Sequence, residues 1–290
     1  MTAESLDLGT AFPVARTARP RVRRLPVGVL LSGLVLLVTA VAVAAPQLLT
    51  SGDPLRANPA LSHLPPSLEH LAGTDIQGRD VLVRIIHGAR YSVLIGLGAT
   101  VVAVALGVAF GVAAGVAPGW ADRAVSRLVD VVAAFPEVLL ALLMIAFTGR
   151  GTANLILALG VAGLPKYART VRANVQLARS AGYVEQALTF GLPRTRIVLR
   201  HVLPNALGAL PVMVTIGFGG AIIGSSGLSF LGLGPQPPAA EWGLMLSESR
   251  AYLRQAWWSG VFPGVALTVV VIAATVLGRA LQARYERRNR

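Results

Sequence analysis

Six apolar stretches, at residues 27–49, 92–117, 128–148, 152–169, 205–226 and 259–281, constrain this chain more than any other feature. Each is close to the roughly 20 residues that a helix needs to cross a bilayer. Hydrocarbon offers no water to backbone N–H and C=O groups, so a segment placed there must satisfy them internally, as a helix does. The expected fold is all-α and integral to a membrane, with six spanning helices. Composition agrees: 54% of the 290 residues are hydrophobic, 13% are charged and the mean hydropathy is +0.65, which leaves too little polar surface for a soluble globule of this size.

The basic residues sort by connection. Arg16, Arg19, Arg21, Arg23 and Arg24 precede the first stretch, and Arg123 and Arg127 lie between the second and third. Lys166, Arg169, Arg172, Arg179, Arg194, Arg196 and Arg200 crowd the segment between the fourth and fifth, while Arg279, Arg284, Arg287, Arg288 and Arg290 close the chain. The intervening connections hold few, so the positive-inside rule places both termini in the cytoplasm. Distribution by loop, rather than along one groove, argues against nucleic acid as the partner of this +13 chain. The run at 27–49 exceeds the roughly 7–15-residue core of a cleaved signal and reads as a retained span. There is no cysteine, which excludes disulfides and thiolate chemistry, and His63, His70, His87 and His201 show no ligand spacing, so no metal site is expected.

The organisation follows. Residues 1–26 form a polar cytoplasmic tail, 27–49 the first span, 50–91 an external connection, 92–281 a five-helix core that includes a cytoplasmic loop at 165–204, and 282–290 a second basic tail. The external connection begins Pro-rich and irregular. Its second half predicts an amphipathic surface helix, capped by Asp80, with Leu82, Ile85 and Ile86 on one face and Gly88 as its stop. Ala99, Ala103, Gly107, Gly111 and Gly115 recur every four residues and predict a seam where a second helix approaches closely. Gly220 and Gly224 suggest another. Trp120, Trp242, Trp257 and Trp258 fall near span ends, where indoles suit the headgroup region.

Residues 183–204, YVEQALTFGLPRTRIVLRHVLP, are polar and arginine-rich yet wedged between two spans, and they need something to bind. A short helix from about Tyr183 to Phe190, a left-handed stop at Gly191, a second helix opening at Pro193 and a break at Pro204 make a compact knob. The spacing of Glu185, Ala187 and Gly191 from His201, Leu203 and Pro204 resembles the coupling ("EAA") loop of permease subunits of bacterial binding-protein-dependent ABC importers, with Gln186 where that family usually has Ala. Two further strings resemble the dipeptide, oligopeptide and nickel branch: Gly73-Thr74-Asp75 with Gly78-Arg79-Asp80-Val81-Leu82, Arg84 and Gly88-Ala89-Arg90, and the Gly/Pro-rich segment 228–246. Phe135-Pro136 and Tyr167-Ala168-Arg169 extend the likeness, while Ser225 stands where the family commonly carries an acid.

The resemblance implies a type I ABC importer permease in the bacterial inner membrane. It would bind no cofactor of its own, pair with a second permease as a heterodimer, receive solute from an external binding protein, and rest its loop on two ATPase subunits that bind ATP and Mg. The loop residues it implies are Tyr183, Glu185, Ala187, Gly191, Arg200, His201, Leu203 and Pro204. The solute it implies is a di- or oligopeptide or a nickel or other metal chelate. The competing reading is an ion-coupled secondary transporter working without an ATPase, which needs ionisable groups within the membrane. Asp130 and Glu137 are the obvious ones, with Glu137 placed to line a solute path. No enzyme is expected: HExxH and GxSxG are absent, and Lys166, the sole lysine, is followed by Tyr167, so there is no Walker A sequence.

Overall fold

A computed structural model describes residues 27–288, with side chains to residue 284. The basic tail at 1–26 lies outside the described residues. The order is α1 (Val27–Ala44), α2 (Val81–Val116), α3 (Gly119–Ala133), α4 (Glu137–Thr148), α5 (Thr152–Arg179), α6 (Gly182–Thr189), α7 (Arg194–Ile197), α8 (Leu203–Ala206), α9 (Leu210–Phe230), α10 (Trp242–Ser249) and α11 (Trp258–Arg288). Among the described residues there is no strand, only an isolated bridge from Thr74 to Asp80.

Four helices, α1, α2, α9 and α11, are long and apolar enough to cross a membrane, and α3 with α4 adds a fifth span if the bent pair counts as one. The expected six is therefore not met by length and composition. The stretch at 128–148 is broken at Phe135-Pro136, where α3 and α4 meet at 86°, because Pro136 supplies no N–H to continue the first helix. The stretch at 152–169 belongs to α5, a 28-residue helix whose hydropathy is diluted by Lys166, Arg169, Arg172 and Arg179. Those residues are thus helical, and the connecting loop begins after Arg179 rather than at 165.

The α2–α5 pair is the spine of the molecule. The small-residue strip lies in this seam: Gly107 abuts Tyr167, Gly111 abuts Ala168 and Val171, and Gly115 abuts Val175. Between apolar helices in apolar solvent such close backbone approach supplies the dispersion contact that holds them together. Arg179 locks the seam's end by donating to the Gly115 carbonyl at 2.7 Å, where the last turn of α2 has no partner of its own. The second strip holds in part. Gly224 faces Leu159 at 3.4 Å from its would-be Cβ, but Gly220 faces open space.

Two expectations at the opposite end of α2 are corrected. Asp80 does cap a helix, accepting from the Val83 N–H at 2.9 Å, yet that helix runs on to Val116 as α2 and no separate surface helix exists. Gly88 sits inside it, packed on the Ala240 carbonyl, so it marks a close approach rather than a stop. Trp242 and Trp258 are buried, their indoles donating to the carbonyls of Ile85 at 2.9 Å and Thr74 at 3.0 Å. They pin a cap of residues 45–80 and 231–258 over the helix ends, whereas Trp120 and Trp257 remain exposed.

Candidate functional site: a knob at one end, a clamped cap at the other

The knob grows from the end of α5. Val184 and Ala187 of α6, Ile197 of α7 and Val202 pack with Val171, Val175 and Ala178 of α5 in one buried cluster. Between the two short helices Gly191 adopts φ +74°, and its N–H and that of Leu192 close the turn on the carbonyls of Leu188 and Ala187 at 2.9 and 3.2 Å. A side chain in this left-handed conformation carries a Cβ penalty, which is why the position suits glycine.

After α7 the chain does not break at Pro204 as expected. It widens through a π-helical turn at Val198–Val202, where the Leu203 N–H reaches back five residues to the Val198 carbonyl. It then continues through α8 and stops at Leu207–Ala209. Pro204 has no N–H for the carbonyl four residues upstream, and the widened turn accommodates that loss without ending the helix.

The other expected loop residues separate by exposure. Ala187 is buried and Leu203 half-buried. Glu185, Arg200 and Pro204 are exposed, and the partly exposed rings of Tyr183 and His201 lie 6.5 Å apart. The Tyr183 hydroxyl accepts from Asn205 Nδ2 at 3.1 Å, tying α6 to α8. Sequence reasoning missed the residues that fasten the knob, Val184, Ile197 and Val202, although their apolar spacing within a polar segment was the available signal. It also missed the knob's exposed apolar residues, Leu188, Leu199 and above all Phe190, which is 85% exposed.

The opposite end is clamped by buried charge. Arg79 and Arg84 are essentially unexposed. Arg79 Nε donates to Asp75 Oδ2 at 2.6 Å, and both arginines reach Glu248 Oε2, at 3.2 and 3.1 Å. Charges taken out of water require such pairing. Glu241, also unexposed, caps α10 by accepting from the N–H groups of Gly243 and Leu244 at 3.0 and 2.8 Å, and Ser92 of α2 donates to it at 3.1 Å.

Neither expected membrane carboxylate stands alone. Asp130 accepts from Arg169 at 2.9 Å, and Glu137 Oε1 lies 3.6 Å from Lys166 Nζ, both pairs half-exposed. Glu137 borders a narrow gap among α2, α4, α5 and α9 with room for about one water. A third pair, Arg172 with Asp122 at 2.6 and 2.7 Å, fastens α3 to α5.

An all-helical bundle with a knob projecting from a long bent-pair core is the architecture of a type I ABC importer permease. Over 71% of this chain and 96% of the other, it superposes on a subunit chain in the inward-facing MetNI methionine ABC transporter, at a TM-score of 0.58 and 23% identity, which speaks to fold alone. The chain belongs to the family of binding-protein-dependent transport system inner membrane components, matched over residues 107–290. It is 36% identical to the dipeptide transport system permease protein DppC of Alkalihalophilus pseudofirmus, across 86% of this chain and 83% of that one. It is 44% identical to the glutathione transport system permease protein GsiD of Shigella flexneri, across 75% and 72%. It is thus a non-catalytic permease subunit of an ATP-driven importer, and the solitary ion-coupled reading is set aside.

Proposed function

We propose that this subunit pairs with a second, similar permease to enclose a path for small peptides, with its knob and both termini in the cytoplasm and its clamped cap outside. The knob carries the reading. Phe190 and Leu188 are exposed, as are Arg194 and Arg196 a few residues on, over a base packed into α5. An exposed apolar anchor with charged residues in the same short segment, on a packed support, has the composition of a docking hot spot. Its partner is the groove of one of two cytoplasmic ATPases, which bind the ATP and Mg. An external binding protein delivers solute at the cap.

Tyr183, Glu185, Arg200 and His201 supply polar contacts, while Ala187, Gly191, Leu203 and Pro204 shape the knob. Peptide is favoured over a nickel or other metal chelate because relatives that share a third or more of their residues with this chain are named for dipeptide, peptide and glutathione transport. Glu137 borders the path, with Lys166 offsetting much of its attraction for cations.

Glu185→Lys reverses an exposed charge on α6 without touching the buried cluster. The variant is expected to reach the membrane at normal level but to lose most ATPase co-purification and uptake. Normal co-purification together with normal uptake removes Glu185 from the docking surface.

A further inference from the structure

A cleft of about 660 Å³ opens at the cap end between α2, the turn at 46–55 and the turn at 236–240. One buried side chain ties its walls together. The Arg84 guanidinium donates to the carbonyls of Pro54 at 3.4 Å, Pro238 at 3.5 Å and Ala239 at 3.3 Å. Gly88, one turn on, packs against the Ala240 carbonyl.

Arg90, Tyr91 and His87 line the cleft from α2, and Gln236 lines it from the opposite wall. The charge here is of one sign. Arg79 and Arg84 have Asp75 and Glu248, and Glu241 is occupied by the first turn of α10. Arg90, in contrast, has no ion-pair or hydrogen-bond partner among the described residues, and no Asp or Glu lines the cleft. His87 Nε2 is buried there without a hydrogen-bond partner.

A walled concavity lined by one sign of charge concentrates counter-charge. A guanidinium fork matches a carboxylate with two parallel hydrogen bonds. The volume lies within the roughly 300–1,000 Å³ of small-molecule sites. We propose that the cleft receives the carboxylate of the incoming solute, with Arg90 as its pairing group and the Tyr91 hydroxyl as a neighbouring donor. This rests on the reading above of a peptide importer with its cap outside.

The test uses the assembled transporter in proteoliposomes. The native chain has no cysteine, so Leu94→Cys, on the cleft wall, gives this subunit a single thiol for a neutral maleimide. Dialanine is expected to slow labelling severalfold and dialanine amide, which lacks the negative charge, is not. Adding Arg90→Gln to Leu94→Cys should abolish the protection and adding Arg90→Lys should restore part of it. Equal protection by acid and amide, or protection that survives Arg90→Gln, overturns the proposal. Protection seen only when anionic lipids are left out assigns the cleft to headgroup phosphate and overturns it too. Labelling needs no turnover, so it decides the cleft separately. The reading as a peptide importer fails instead if the transporter with its binding protein moves no dialanine or longer peptide.

Discussion

Gly111 has no room for a side chain, since a Cβ there would lie 2.7 Å from both the Ala168 carbonyl oxygen and Val171 Cβ. Gly111→Leu is expected to force α2 from α5 at a cost of about 1–3 kcal/mol. The check is a lower yield of assembled complex and a lower melting temperature with solute preference unchanged. The strip containing it was legible because a period of four puts small residues on one helix face. Gly220 shows the limit of that signal, as spacing cannot say whether a neighbour stands opposite.

Glu241 was invisible as a buried ionisable site because a side chain that partners it there, Ser92, lies 149 residues upstream. Burial holds its carboxyl above the ordinary range, despite the backbone N–H groups that favour the charged form. With the folded pKa raised, the unfolded chain ionises first as pH climbs past about 4.3, and stability falls until the folded carboxyl ionises in turn. Glu241→Gln does not titrate. The melting temperature of wild type relative to this variant is therefore expected to decline from pH 4 to pH 7, and a flat difference would contradict the burial account.

Among elements, the knob was read from turn chemistry, and the helix ends that flank Gly191 fall within a residue of expectation, although the second helix runs on past Pro204. What the pattern did not disclose was its attachment. Ile197 and Val202 look unremarkable until α5 extends to Arg179 and offers Val171 and Val175 as their counterpart. The same extension misled the loop boundary, because charged residues on a helix lower its hydropathy without ending it. Gly191→Val, which places a β-branched residue at φ +74°, should cost about 1–3 kcal/mol locally. The expected result is normal membrane insertion with several-fold weaker ATPase association. Val184→Asp with Ile197→Asp should go further, leaving the knob sensitive to protease, because each buries an unpaired charge.

For the whole molecule, the arginine distribution makes a prediction that chemistry can check directly. A cysteine introduced at Arg196 should react only with permeant reagents in sealed cells, and one at Gln236 should also react with impermeant ones. Reaction of the first with an impermeant reagent would invert the topology. Six apolar runs were legible, but the 86° break between α3 and α4 was not, since hydropathy averages across Phe135-Pro136. The cap was the least legible part. Its two indoles read as membrane anchors because their partners, the carbonyls of Ile85 and Thr74, lie 157 and 184 residues away along the chain.

That separation has a consequence in time. Arg84 meets Glu248 across 164 residues, and a ribosome adding about 5–20 residues each second needs roughly 10–30 s to cover such a distance. Through that interval the two arginines, buried in the finished protein, have Asp75 beside them but not the second carboxylate, Glu248, while α2 is already made. The amino-terminal third of the protein can be inserted early but not finished early, so a nascent chain halted before residue 241 should be a ready substrate for membrane quality control.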